Sequence, residues 1–171
     1  MFKNMYPYAY VDSAYDIDYE KLYSEGHRLV IYDIDNTLVP HGYPADEKAL
    51  QLMERLKNIG YAIVFLSNNG KERVEMFNKK IGADYIYKAS KPSMKGYQKA
   101  MEEHGCDTDS TIFVGDQIFT DVWGANRAGI KSFLVKPIDK STDEIQIVIK
   151  RKLEMPIIKA YLKNKEKKWK Y

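Results

Sequence analysis

Cysteine is almost absent from this chain: Cys106 stands alone among 171 residues, which excludes an intrachain disulfide and a thiolate zinc site. No apolar run approaches the roughly 20 residues that a spanning helix requires. Nothing after Met1 forms a signal-peptide core, because Lys3 and Asn4 lead into a charged, tyrosine-rich stretch. The expected compartment is therefore the cytoplasm. Repeats and low-complexity linkers are missing as well, and the length suits one domain with a substantial core. An apolar fraction of 44% with 30% charged residues excludes a disordered chain.

Neither sign of charge dominates, but the balance shifts along the sequence. The chain carries +3 overall, whereas nine Lys/Arg face two Glu from Lys150 onward, so residues 1–149 are net acidic at −4. An acidic body with a basic tail results.

Apolar periodicity and turn residues divide the chain into alternating strands and helices. Six tyrosines fall in residues 1–28 (Tyr6, Tyr8, Tyr10, Tyr15, Tyr19 and Tyr23). This reads as an arm that wraps the body and carries a short helix near Tyr19–Ser24. Strands are expected at Leu29–Tyr32, Tyr61–Leu66, Asp84–Tyr87, Thr111–Val114 and Lys131–Val135. Helices are expected at Ala45–Ile59, Lys71–Ile81, Ser93–His104 and Thr120–Ala128, with Gly60, Gly105 and Gly129 as stops. This alternation predicts an α/β fold, a parallel sheet with helices on both faces. The expected organisation is a single domain over 1–171: the arm 1–28, a catalytic core 29–136 and a basic helical tail 137–171.

The most informative stretch is Asp33-Ile34-Asp35-Asn36-Thr37, directly after the apolar run Leu29-Val30-Ile31-Tyr32. Strand alternation sends successive side chains to opposite faces, so both carboxylates share a pocket only if the strand ends between them. Unpaired buried carboxylates are strongly disfavoured, and a divalent cation facing a phosphate would meet their need. Ser67, Lys91 and Asp116 also lie just past expected strand ends, on the edge where open α/β sheets bind ligands. Taken singly, Ser67 and Asn68 read as a helix cap, Lys91 as a surface lysine, and Asp116 and Asp121 as loop or cap residues.

In this order the motifs resemble those of the haloacid dehalogenase (HAD) superfamily of phosphatases. Asp33-Ile34-Asp35-Asn36-Thr37-Leu38-Val39 looks like the first motif and Leu66-Ser67-Asn68-Asn69 like the second. Lys91-Pro92 looks like the third, and Gly115-Asp116-Gln117 with Thr120-Asp121 like the fourth. The resemblance implies a HAD-like Rossmannoid fold and phosphomonoester hydrolysis. Asp33 would be the nucleophile that forms an aspartyl-phosphate, and Asp35 the general acid/base. Mg²⁺ would be held by the Asp33 and Asp116 carboxylates and the Asp35 backbone carbonyl. Ser67 and the Asn68 N–H would bind the phosphate, and Lys91 would place a positive charge opposite it and Asp33. Asp121 would orient Asp116 or a metal-bound water, and Thr37 would fix the loop by hydrogen bonding. Members that displace halide lack the second aspartate, so Asp35 favours phosphate esters. His41, in the loop after the first motif, and His104, at a helix end, stay outside the catalytic set.

Cap domains of this superfamily enter after the first motif or between the second and third. Here 33 residues separate Asp33 from Ser67 and 23 separate Ser67 from Lys91, each interval filled by one helix and one strand. A capless enzyme (class IIIA) with a site open to solvent on one side is implied. One cysteine cannot build the zinc loop of capless sugar-bisphosphate or histidinol-phosphate phosphatases. The layout is most similar to the YqeG-like subfamily, related to the phosphatidylglycerophosphate phosphatases of mitochondria and plastids. That resemblance implies phosphatidylglycerophosphate as substrate and phosphatidylglycerol as product. Another phosphate (a nucleotide, phosphosugar or phosphoprotein) stands as the alternative, and an RNA- or ribosome-associated binding module as another, with nucleic acid disfavoured by the intact catalytic set.

In the tail, Ile145, Val148, Ile149 and Leu153 form one helical stripe, expected to pack on the core. Beyond Pro156, Ile157, Ile158, Tyr161 and Leu162 form another. Lysines, Trp169 and Tyr171 surround this second stripe, leaving two readings open: core packing, or an anionic membrane surface at the inner face. Oligomeric state is not legible.

Overall fold

In the computed structural model, which describes residues 3–165, the two continuous apolar runs lie side by side at the centre of a six-stranded sheet. β2 (Leu29–Tyr32) pairs in parallel with β3 (Ala62–Leu66) on one side and β5 (Thr111–Gly115) on the other. β4 (Asp84–Ile86) extends the sheet beyond β3, and β6 (Lys131–Val135) followed by β1 (Ala9–Val11) extends it beyond β5. The order is β1-β6-β5-β2-β3-β4, parallel throughout. The chain winds outward from β2 to β4, then returns to the far side of β2. That reversal opens a crevice at the carboxyl ends of β2 and β5.

Alternate strand residues feed two cores. Val30, Tyr32, Ile63, Phe65, Ile112 and Val114 pack against α1 (Tyr19–Ser24), α2 (Glu47–Ile59) and α3 (Lys71–Asn78). Leu29, Ile31, Val64, Leu66 and Phe113 pack against α4 (Lys95–Glu103) and α5 (Trp123–Arg127). Both faces are covered, as expected, and no cap domain is inserted among the described residues. α2 starts two residues later than expected because the Asp46 carboxylate accepts the Ala49 N–H at 2.8 Å and caps it. It stops at Gly60, whose φ of 116° is open to glycine and whose missing Cβ leaves room for the Tyr23 hydroxyl.

Three features depart from the expectations. The arm does not simply wrap the body: Ala9–Val11 forms the edge strand β1 on β6, a three-residue element too short for its alternation to register. The arm's tyrosines then staple it to the helix-covered face. Tyr32 donates to the Tyr19 hydroxyl at 2.5 Å, and Tyr61 to the Tyr19 carbonyl at 2.9 Å. Second, the helix expected from Thr120 begins earlier, as a wide π-type turn at Ile118–Val122 that leads into α5.

Third, the two stripes around Pro156 belong to one helix, α6 (Ile145–Lys165). Proline removes the bond to the Lys152 carbonyl, but Lys152 and Pro156 both face solvent, where water replaces it. The burial is the reverse of that expected for the first stripe. Ile145, Ile149 and Leu153 are exposed, whereas Ile157 and Tyr161 of the second stripe are buried. The amphipathic pattern could not reveal this, because α6 is apolar on two sides. Ile157 packs with Ile118, Val122 and Leu134. Of the two readings of Ile157–Tyr171, core packing holds at Ile157 and Tyr161; Trp169 and Tyr171 lie outside the described residues.

Candidate active site

The site begins where β2 ends. The Asp33 N–H still donates to the Val114 carbonyl at 2.9 Å, so its position is set by the sheet. The chain then turns: Thr37 and Leu38 N–H groups both reach the Ile34 carbonyl, and Asn36 adopts a left-handed φ of 62°. Alternation is broken between the two aspartates, and Asp33 and Asp35 line one cleft of about 150 Å³ with His41, Ser67, Asn68, Asn69 and Lys91.

Asp33, Asp116 and Asp121 each offer an oxygen within 4.8 Å of the others. Lys91 Nζ lies 2.7 Å from Asp33 Oδ1 and 2.6 Å from Asp121 Oδ1. The Thr37 hydroxyl donates toward Asp33 Oδ2 at 3.2 Å and lies 3.5 Å from Asp116 Oδ1. Asp121 Oδ2 accepts the N–H groups of Asp116 and Gln117, both at 3.1 Å. A Cβ on Gly115 would sit 2.5 Å from that same oxygen, so glycine is required for Asp121 to reach under the strand end. Burial raises the Asp33 pKa well above the ordinary carboxylate value; Lys91 opposes this, while Asp121 and Asp116 add to it. For Asp116, burial and then Asp121 push the value up to about 7 against Arg151. Burial alone would depress Lys91, but the Asp121 and Asp33 carboxylates hold it above its ordinary value.

Asn68 does more than lend a backbone N–H to a turn. Its side chain brackets the Lys91 backbone, accepting the Lys91 N–H at 2.7 Å and donating to its carbonyl at 3.2 Å. The β3 loop therefore positions the lysine delivered from beyond β4. Ser67 Oγ accepts the Asn69 N–H at 3.1 Å, a capping contact, while its side chain still borders the cleft. Asp35 is gripped by residues to which sequence reasoning gave no role. Arg73 donates from Nε at 3.1 Å and Nη2 at 2.7 Å, Asn69 Nδ2 at 2.6 Å and the Gly42 N–H at 2.8 Å. His41 Nδ1 is 3.7 Å away. His104 lies apart, 3.2 Å from Asp84.

Similar known proteins point the same way. A family model described as HAD-hydrolase-like matches residues 88–149. The "Probable phosphatase YqeG" of Bacillus subtilis is 32% identical over 164 residues, covering 95% of both chains. This chain belongs to the HAD phosphatases, in the YqeG-like group. The Arabidopsis thaliana protein "Phosphatidylglycerophosphate phosphatase 1, chloroplastic/mitochondrial" is 28% identical over 92% of this chain and 48% of its own length. In fold, the chain resembles the cobalt-bound deoxy-D-mannose-octulosonate 8-phosphate phosphatase (YrbI) of Haemophilus influenzae, with a TM-score of 0.56 at 16% identity over 68% of this chain and 81% of that one. The family makes the chain a phosphoric monoester hydrolase.

This HAD phosphatase closes its cleft with a wall absent from the four motifs. Glu144, Ile147 and Lys150, at the start of α6, line it, so the site is less open than a capless layout implies. No arm residue among those described lines the cleft. Arg151 reaches inward: Nη2 donates to Asp116 Oδ2 at 2.6 Å, and Nε to Asp143 Oδ2 at 2.5 Å. Asp143 also accepts from Asn36 Nδ2 at 2.8 Å, which ties the loop after β2 to the root of α6. Sequence offered one signal, an arginine among lysines, but nothing tied it to a carboxylate 35 positions earlier.

Charge balance tests whether a cation fits. Asp33, Asp116, Asp121 and Asp143 face two cations, Lys91 and Arg151. The buried group is two positive charges short, and its donors are all oxygen, the chemistry of a hard divalent ion. Asp33, Asp116 and Asp121 are the side chains that could hold one; the Asp35 side chain is paired with Arg73, which leaves its backbone carbonyl, the group the resemblance put on the metal, available. Arg151→Ala leaves Asp116 and Asp143 without their partner. It is expected to destabilise the fold by about 3–5 kcal/mol in urea titrations and to speed hydrogen exchange in the first half of α6.

Glu154, from the same helix, is buried and accepts the Phe119 N–H at 2.9 Å. Burial raises its pKa from the ordinary 4.5 to about 7, with the Phe119 N–H opposing and Asp121 adding. A carboxyl held above its unfolded value favours the folded state fully below pH 4.5 and loses that contribution as pH rises through 7. Glu154→Gln keeps an acceptor for Phe119 without the charge. It is expected to stabilise the protein by on the order of 2–3 kcal/mol at pH 8 and by almost nothing at pH 4.5 in parallel urea titrations.

Proposed function

We propose that this chain is a Mg²⁺-dependent phosphomonoesterase that works through an aspartyl-phosphate on Asp33, with phosphatidylglycerophosphate as substrate and phosphatidylglycerol as product. The observation that carries the reading is the juxtaposition at the end of β2: Asp33 beside Lys91 at 2.7 Å, within the acidic cluster and at the floor of a cleft edged by Ser67 and Asn68.

Asp33 Oδ attacks phosphorus in line, the ester P–O bond breaks, and the phosphoryl group is carried on the carboxylate. Asp35, at the other side of the loop, gives a proton to the departing alkoxide and then takes one from the water that hydrolyses the acyl phosphate. Arg73 and Asn69 donate to Asp35 and orient it for the second step, in which it accepts the proton. Lys91 and the Ser67 hydroxyl, with the Asn68 N–H, neutralise charge on the phosphoryl oxygens. Asp33, Asp116 and Asp121 would hold Mg²⁺, which would supply positive charge opposite the same oxygens. Thr37 steadies Asp33 against Asp116.

The lipid substrate is supported by the Arabidopsis relative named above and by the cleft wall. Lys150 lines the cleft from α6, beside a site that binds the terminal phosphate. Phosphatidylglycerophosphate carries a second, diester phosphate one glycerol away, an anion for that lysine. Phosphate release from phosphatidylglycerophosphate in mixed micelles, compared with glycerol 3-phosphate, a nucleotide and an aryl phosphate, tests the assignment. Preference for the lipid by at least tenfold in kcat/KM is expected, with EDTA abolishing turnover of all four. Equal rates on soluble esters, or preference for one of them, would move the substrate to a soluble phosphate.

A further inference from the structure

We infer that the outward face of the first half of α6 is a docking surface for an anionic lipid bilayer. This deepens the phospholipid reading above and rests on it for the identity of the substrate.

Positions 145, 149 and 153 stack on one side of the helix, and their side chains, Ile145, Ile149 and Leu153, are 77%, 55% and 60% exposed. Val148 and Met155 flank them, also exposed. The orientation of the helix is fixed from the opposite side, where Glu154, Ile157 and Tyr161 are buried and Arg151 is fastened to Asp116 and Asp143. A helix anchored by one stripe ordinarily turns polar residues outward. Here the outward side is apolar, and the exposed lysines Lys152, Lys159 and Lys163 share it.

That combination selects among occupants. Apolar side chains among lysines suit an interface of acyl chains beneath anionic headgroups. A second copy packed by this same face across a two-fold axis would bring lysines against lysines. A nucleic acid would use the lysines and leave the apolar stripe in water. The other side of the first turns of this helix supplies Ile147 and Lys150 to the cleft, beside Glu144 just before it. Ile147 and Lys150 face the cleft from the anchored side of the helix, so a bilayer on the outward side holds the enzyme at the membrane that carries its substrate without forming the cleft wall.

The test is flotation of the full chain with vesicles of phosphatidylcholine alone or with phosphatidylglycerol, alongside turnover of a soluble aryl phosphate. Wild type is expected to float with anionic vesicles at least tenfold more than with neutral ones. Ile149→Asp combined with Leu153→Asp, and separately Lys152→Glu combined with Lys159→Glu, are each expected to cut flotation at least tenfold and leave aryl phosphate turnover unchanged. The lysine pair guards against a folding defect in the apolar pair. Wild type that hydrolyses the aryl phosphate yet ignores anionic vesicles overturns the docking surface and spares the phosphatase. Variants that float as wild type does, or that convert a dimer to a monomer instead, also overturn it. Flotation as expected from a chain that hydrolyses no phosphate ester upholds the surface and sinks the enzymatic reading.

Discussion

Asp33→Asn is expected to lower turnover of an aryl phosphate by at least about 10⁴-fold while the protein stays folded. The amide matches the carboxylate in shape but cannot displace an alkoxide from phosphorus. Its oxygen still accepts from Lys91 Nζ, which holds a second partner in Asp121. Removing one charge from a group of four carboxylates facing two cations also relieves repulsion, so the variant should resist urea at least as well as wild type. A merely structural aspartate would show the opposite pattern, activity kept and stability lost. Asp35→Asn separates the two carboxylates. Its loss, about 10²–10⁴-fold, should be smallest for aryl esters, whose leaving group needs little protonation, and largest for glycerol esters. If Asp33→Asn retains a tenth of wild-type turnover, the nucleophile has been misassigned.

Much of this site was legible because each strand announces its end. The runs Leu29–Tyr32, Ala62–Leu66 and Thr111–Gly115 are continuous, as strands covered on both faces must be, and the residues after them fall on one edge by topology alone. The parallel sheet with helices on both faces followed, and so did the placing of Asp33, Asp35, Ser67, Asn68 and Lys91 on one cleft. What was not legible depends on contacts between distant parts of the chain. Arg73 reads as an ordinary charge on a helix whose partner, Asp35, lies 38 positions earlier. Arg151 and Asp143 sit outside every motif, and their value appears only when α6 folds back on the end of β5. Asp121 accepts the backbone N–H of Asp116, and its place within the acidic cluster depends on Gly115 lacking a side chain. α6 misled for a different reason. With apolar residues on opposite sides, periodicity cannot say which stripe meets the core; the contacts of Arg151, Glu154 and Ile157 decide it.

Lys91→Met should be the most damaging single change to the folded state, because the lysine neutralises two carboxylates from a position where water cannot. Its side chain is 3% exposed, with Asp33 at 2.7 Å and Asp121 at 2.6 Å. Methionine fills nearly the same volume, so packing is kept and the electrostatic loss is isolated. Breaking a buried pair by removing one partner costs about 3–5 kcal/mol, and here one cation serves two partners. Urea titration in EDTA measures this loss. Turnover should fall by about 10²–10³-fold, the scale for losing one preorganised donor to a charged reacting group. Lys91→Arg is not expected to rescue either quantity: a planar guanidinium is longer and broader than the ammonium that Asn68 brackets into place through the Lys91 backbone. Added Mg²⁺ should recover part of the stability of Lys91→Met, since a divalent ion among Asp33, Asp116 and Asp121 supplies the missing charge and binds the folded state alone. A Lys91→Met protein that resists urea as wild type does would mean that the carboxylates at this strand end are not charged together, and the attack by Asp33 would need another source of activation.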